Sequence, residues 1–283
     1  MTSPAIRHLP GIAPLVLDSP HSGVNYPQDF RFSTDFALLR QAEDTHVEKL
    51  YDFAPALGIS WVEALFPRSY LDANRHLSEL DVGLLDGEWP EPVATDPAFL
   101  AKVKLGKGLI WRTTDDGVPI YQRLLSVTEV QARIETCWRP YHDAVAAAID
   151  TAWQTHGYSI HLNCHSMPAL ALENATESPG EERPDFVIGD RDGTTAHVAL
   201  SRLVCQYLEN KGYSVAYNHP YKGVELVRRY SNPAQHRHSI QVEINRKLYM
   251  NELDRALIPN HDALRRDLRN MVELLLATDP RSL

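Results

Sequence analysis

Runs of apolar residues divide the 283-residue chain into strand-like and helix-like blocks. Residues 12–18, with Leu15, Val16 and Leu17 together, predict a first strand. Residues 36–57 predict a helix, with Phe36, Leu39, Val47, Leu50 and Phe53 near helical spacing and Gly58 to stop it. ISWVEALF, 59–66, predicts the next strand. Residues 67–120 hold many Pro, Gly and Asp residues and only short apolar runs, so they read as an excursion of loops and short elements. A long helix is expected over 127–156, opened by the S-x-x-E pattern of Ser126 and Glu129 and closed by Gly157. Strands follow at 158–164, 185–189, 213–218 and 238–246, helices at 195–210 and 260–277, and a polar loop at 173–183. Strands that alternate with helices indicate an α/β fold with a mixed, mostly parallel sheet and flanking helices. The chain shows neither an internal repeat nor a linker, so a single domain over 1–283 is expected.

Composition narrows the function. Twenty-eight Lys and Arg against 37 Asp and Glu give a formal charge of -9. That balance lacks the basic footprint of a nucleic-acid binder, yet it leaves room for a basic pocket that takes a small anion. Cys137, Cys164 and Cys205 are odd in number and widely spaced, which speaks against a disulfide framework or a Cys-rich zinc site. No apolar signal core opens the chain and no run approaches membrane-spanning length, so a cytoplasmic protein is expected.

The chemistry concentrates at strand ends, where α/β sheets bind ligands. His21 in DSPHSG and His165 in NCHSMP each fall just past a predicted strand. In HSIQVEINR, Ile240, Val242 and Ile244 alternate with Ser239, Gln241, Glu243 and Asn245. A carboxylate on a covered face must pair, bind a metal or change its pKa, which makes Glu243 a candidate general acid/base. An exposed edge strand would give the same alternation. FPRSYLDANR places Arg68, Asn74 and Arg75 after a strand, and Arg is suited to bidentate carboxylate binding; two solvated loop arginines are the plainer alternative. Arg228 and Arg229 form another basic site. EDTHVEKLY crowds Glu43, Asp44, His46 and Glu48, and either Glu43 or Asp44 could complete a site with the two histidines. His21, one carboxylate and His165 would meet the three-ligand count of a catalytic zinc. H-E-x-x-H and G-x-S-x-G are both missing; His76 and Glu79 form an H-x-x-E inside the excursion and rank second. Cys164 and His165 are strand neighbours and point to opposite faces, so a shared proton is disfavoured. Gly189–Gly193 reads as a plain turn before a helix.

Taken together, DSPHSGVNYP, EDTHVEKLY, FPRSYLDANR, LGKGLIWR, IYQRLLSVTEVQARIETCWRPYH, LNCHSMP, PDFVIGDRDGT, NHPYKGVELVRRYS and HSIQVEINRKLYM resemble the N-formylglutamate amidohydrolase (deformylase) family across nearly the whole chain. The resemblance implies a fold like the zinc carboxypeptidases and aspartoacylases. It implies zinc-dependent hydrolysis of N-formyl-L-glutamate to formate and L-glutamate, late in histidine breakdown, with a small dicarboxylate as the ligand. The implied metal ligands are His21, Asp44 in preference to Glu43, and His165. Val24 stands where the aspartoacylase-like enzymes carry their glutamate ligand, so the carboxylate must come from elsewhere. Asn74 and Arg75 resemble the substrate-carboxylate clamp, with Arg228 for the second carboxylate. Glu243 takes the place of the catalytic glutamate; in a mechanism built on that resemblance, Arg68 would help the metal hold the oxyanion. Lys222-Gly223-Val224 departs from the KGG of many members. Deacylation of another N-acyl acidic amino acid, or carboxylate binding without catalysis, are the alternatives.

Overall fold

The structure is a computed structural model that describes residues 4–171 and 179–283; the loop expected at 173–183 lies mostly outside the described residues. Among the described residues the strands are β1 Ile6–Leu9, β2 Leu15–Ser19, β3 Ser60–Ala64, β4 Leu85–Asp86, β5 Leu125–Ser126, β6 Ser159–Met167, β7 Phe186–Gly189, β8 Val215–Tyr217 and β9 Arg237–Asn245. The α-helices are α1 Phe36–Arg40, α2 Val47–Leu50, α3 Pro97–Lys104, α4 Val127–Arg133, α5 Arg139–His156, α6 Val198–Asn210, α7 Glu225–Tyr230 and α8 His261–Leu276. Seven strands form one sheet in the order β1-β3-β2-β6-β9-β7-β8, and β4 pairs with β5 separately. The β2–β6, β6–β9 and β7–β8 ladders are parallel, while β7 runs antiparallel to β9. The sheet is therefore mixed and mostly parallel, as the sequence pattern indicates.

Contacts divide the chain into two compact units. One comprises Met1–Arg7, Pro20–Glu43 and Glu63–Asp143; the other comprises His8–Ser19, Asp44–Val62 and Ala144–Leu283. In the second unit, Ile160, Leu162 and Cys164 of β6 join Ile240, Val242 and Ile244 of β9 in an apolar layer. α2, α6 and α8 close that layer with Val47 and Leu50, Leu200, Val204 and Leu208, and Leu264, Leu268, Met271, Val272 and Leu275. Each such side chain contributes about 1.5–3 kcal/mol on full burial. Because side chains alternate along a strand, the same packing turns His161, Asn163 and His165 of β6 and Ser239, Gln241 and Glu243 of β9 onto the opposite face. All of these polar side chains are buried as well, so β9 is an interior strand with two covered faces.

In the first unit, Arg133 is fully buried among aromatic rings. Its guanidinium lies 4.1 Å from the Tyr70 ring centroid and donates to Tyr121 Oη at 2.8 Å and to Glu129 Oε1 at 2.7 Å. The helical rod from Val127 to His156 is continuous, but Ile134–Trp138 form a π-helical turn between α4 and α5. Ser126 Oγ accepts from Glu129 N–H at 3.1 Å, which is half of a capping box. The Glu129 carboxylate turns instead to Arg123 and Arg133.

Three expectations change. The helix predicted over 36–57 is broken into α1, α2 and a 3₁₀ turn at Ala54–Leu57. Glu43, Asp44 and Thr45 are buried in the break, and His46 has φ 70°, a left-handed conformation that interrupts the helix. The strand predicted over 158–164 extends to Met167, because its ladder with β9 continues to Met167↔Asn245. His165 thus stands inside β6, not beyond its end. β1 and α7 are additional short elements whose apolar signals are too brief for a periodicity to register. Among the described residues no helix is long and apolar enough to cross a membrane.

Candidate metal and catalytic site

The polar face of β6 carries a buried chain of hydrogen bonds. Asp18, at the end of β2, stands beside Asn163 in register. Its Oδ1 accepts from His161 Nε2 at 2.8 Å and from Asn163 Nδ2 at 2.9 Å. Asn163 Oδ1 faces His165 Nε2 at 2.7 Å. With the amide nitrogen committed to Asp18, that oxygen is an acceptor, so His165 carries its proton on Nε2. His165 Nδ1 meets Asp44 Oδ2 at 3.0 Å. A second ring proton or a bound cation would join that pair. Arg246 holds the other Asp44 oxygen, with Nη2 to Oδ1 at 3.1 Å and Nε to Ser166 Oγ at 3.1 Å.

His21 lies two residues beyond β2 and is tied to FPRSYLDANR. Its Nε2 meets Asp72 Oδ1 at 2.7 Å. Asp72 also accepts from Asn74 N–H at 2.9 Å and from Arg68 Nη2 at 2.9 Å, with Trp111 Nε1 at 3.3 Å. Burial pushes the Asp72 carboxyl up, but the adjoining His21 ring and the Arg68 and Arg75 guanidiniums outweigh it and hold the pKa well below the usual carboxylate range. An ionised Asp72 accepts the His21 Nε2 proton, and this fixes the tautomer as a carboxylate does behind a metal-ligating imidazole.

His21, Asp44 and His165 each offer one donor atom, and the three atoms lie within 4.8 Å of one another. The donor set of two imidazoles and one carboxylate suits a divalent ion, and each imidazole has its Nε2 engaged by an oxygen. Glu43 is occupied elsewhere: its carboxylate takes Arg40 Nε and Nη2 at 2.9 Å and Tyr26 Oη at 2.8 Å. Of the two adjacent carboxylates, Asp44 is therefore the one joined to His165.

Glu243 is buried on the polar face, directly beside His165 in the β6–β9 register. Its Oε1 accepts from Gln241 Nε2 at 2.8 Å. Arg68 spans from Asp72 to the face of Trp111, 5.0 Å from its centroid. Arg75 is buried, with Nε to Lys107 O at 3.1 Å and Nη1 to Asn74 O at 3.2 Å. Arg228 sits on α7 and donates to Glu225 Oε2 at 2.6 Å; Arg229 reaches the same carboxylate. The H-x-x-E pair makes a local turn, with His76 N–H donating to Glu79 Oε1 at 2.8 Å. Cys164 points into the apolar layer, where burial drives its thiol well above its ordinary pKa. The Gly189–Gly193 turn is stapled by Asp190, which accepts from Gly193 N–H, Ser201 and Asn218.

Several contributors escaped sequence reasoning. Asp72 lies inside FPRSYLDANR, where nothing in its spacing distinguishes it from a loop carboxylate paired with the neighbouring arginines. Asn163 lies two residues before His165, a spacing that places both on one strand face. Arg246 follows the polar strand. His161 and Asp18 had no signal beyond being polar residues in apolar runs.

A family profile for N-formylglutamate amidohydrolase matches residues 13–250. The chain belongs to this family. An N-formylglutamate deformylase of Pseudomonas putida is 28% identical over 248 residues, covering 86% of this chain and 84% of the relative. One from Pseudomonas aeruginosa is 28% identical over 279 residues, with 94% of each chain covered. The crystal structure of the N-formylglutamate amidohydrolase of Ralstonia eutropha JMP134 superposes with a TM-score of 0.91, at 43% identity over 98% of this chain and 99% of that one. The Agrobacterium tumefaciens gene product Atu2144 shares the fold at TM-score 0.60 and 17% identity, with 96% of each chain covered. N-formylglutamate amidohydrolases are hydrolases of a linear amide bond.

Proposed function

We propose that this protein is a cytoplasmic, zinc-dependent deformylase that hydrolyses N-formyl-L-glutamate to formate and L-glutamate, as a late step of histidine breakdown. The observation that carries the reading is the buried donor group of His21, Asp44 and His165 with Glu243 in register beside His165, in a member of this family. A single catalytic domain over 1–283 is part of that reading.

A divalent ion would be held by His21, Asp44 and His165, and it would supply Lewis acidity and lower the pKa of water. The chain's own residues do the rest. Asp72 and Asn163 fix His21 and His165 with their protons on Nε2, so both would ligate through Nδ1. Arg246 pairs with Asp44 and aims its other oxygen. Glu243 takes a proton from the attacking water on one of its carboxylate oxygens and delivers it to the leaving amine nitrogen. Gln241 steadies that carboxylate without neutralising it. Arg68 stabilises the oxyanion that develops on the formyl oxygen. Asn74 and Arg75 hold one substrate carboxylate, and Arg228 the other, which orients the amide.

Two measurements test this. Formate release from N-formyl-L-glutamate, with N-acetyl and N-succinyl acidic amino acids as competitors, is expected to favour the formyl substrate; equal or faster release from another acyl group would reassign the substrate. Glu243→Gln is expected to keep its metal and lose turnover by roughly 10²–10⁴-fold. Near-normal turnover in that variant would remove Glu243 from the proton transfer.

A further inference from the structure

The block IETCWRPYH, specific to the family resemblance, has no part in the chemistry above, yet its side chains converge on FPRSYLDANR. Three side chains of one helical rod each donate to a backbone carbonyl of that segment. Arg133 Nη1 donates to Tyr70 O at 3.1 Å, His142 Nε2 to Ala73 O at 2.8 Å, and Trp138 Nε1 to Arg75 O at 3.0 Å. All three side chains are buried. The rings of Trp138 and His142 stack at 3.6 Å between centroids and 16° between planes.

The spacing of the three is unusual for a helix. Trp138 and His142 are four residues apart, which a regular helix keeps on one side. Arg133 and Trp138 are five apart, and on an unbroken α-helix such residues point about 140° away from each other. The interval between them is the π-helical turn Ile134–Trp138. Its wider i→i+5 winding brings residues five apart back toward the same side. The π turn is thus what lets one rod grip three carbonyls of one segment, those of Tyr70, Ala73 and Arg75.

We propose that Trp138 and His142 are positioning residues for the Asn74–Arg75 clamp, aligned with Arg133 by the π turn. The inference rests on the clamp reading given above. Its physical content is that a loop carrying substrate-binding groups is templated on a rigid helix, carbonyl by carbonyl. A clamp displaced by about 1 Å can cost up to 10²-fold in a bound, oriented reaction.

The test is steady-state kinetics of the zinc-loaded full chain with N-formyl-L-glutamate. His142→Ala is expected to raise KM about tenfold or more while changing kcat less. His142→Gln, whose amide can donate to the same carbonyl, is expected to restore most of the KM. Trp138→Phe keeps a stacking ring without the N–H and is expected to raise KM in the same direction. An unchanged KM in a folded His142→Ala, or a His142→Gln no better than the alanine, would overturn the inference. If His142→Ala does not fold, Trp138→Phe decides: an unchanged KM there overturns it. Arg75→Ala separates the two layers. A strongly raised KM in Arg75→Ala with a normal one in the His142 and Trp138 variants sinks the positioning role alone. A normal KM in Arg75→Ala itself sinks the clamp, and the positioning role with it.

Discussion

Asn163 offers His165 a carbonyl oxygen because Asp18 holds its amide nitrogen, and His161 holds Asp18 in turn. His161 Nδ1 meets Ser239 Oγ at 3.1 Å, so the series runs from β9 through β6 to β2 and back to His165. Each link settles the donor and acceptor sense of the next. The last link decides which imidazole nitrogen is left to face Asp44. Removing Asn163 would release the tautomer and let His165 rotate. Asn163→Ala is therefore expected to lower zinc affinity by about 10–100-fold, measured by competition with a chromophoric chelator. Unchanged affinity in that variant would mean that packing alone orients His165.

At the scale of elements, the site depends on where strands end and what their exits touch. The exit of β2 passes so close to the exit of β3 that Gly23 has no room for a side chain. A Cβ there would lie 2.3 Å from Phe66 O and 2.7 Å from Ala64 O, both backbone. Asn25 N–H adds a hydrogen bond to Leu65 O at 2.8 Å. Gly23→Ala must push the segment that bears His21 off this ladder, at an expected cost of about 1–3 kcal/mol. A thermal melt and a zinc titration of the variant should both shift; a wild-type melting temperature would show that the segment relaxes freely. The same elements show what the sequence could and could not tell. The alternation of HSIQVEINR placed Glu243 on a polar face, because period two survives in a strand whose two faces differ. His21 is legible as a residue just past a strand end, whereas His165 lies inside β6, which runs on to Met167. The break between α1 and α2 was not visible, since Phe36, Leu39, Val47, Leu50 and Phe53 keep a helical rhythm across it. What breaks it is tertiary: Asp44 is drawn to His165 and Arg246, and Glu43 to Arg40 and Tyr26. The π turn likewise left no mark in the apolar periodicity, and Asp72 and Asn163 acquire meaning only from the side chains they face.

Over the whole molecule, buried ionisable groups set the response to acid. His238 is buried on β9, beside Ile160, with Nδ1 accepting from His197 N–H at 3.2 Å. Burial first, and then the nearby His236 and His197, lower its pKa from 6.5 to about 4. The native state thus refuses a proton that the unfolded chain accepts below pH 6.5. Stability must fall as pH drops from about 6.5 to about 4, and below that His238 is protonated in both states and adds no further slope. Asp72 acts in a lower window. Its carboxylate is held well below 3.8, so its contribution is complete above that value and is lost only as pH falls beneath it. The two windows abut, and His238 governs the milder one. Denaturant midpoints measured from pH 7.5 to 4.5 are expected to decline for the wild type. In His238→Gln, which is neutral throughout and can still accept from His197, the decline should be visibly shallower. Parallel curves for the two proteins would show that the acid sensitivity arises from other groups.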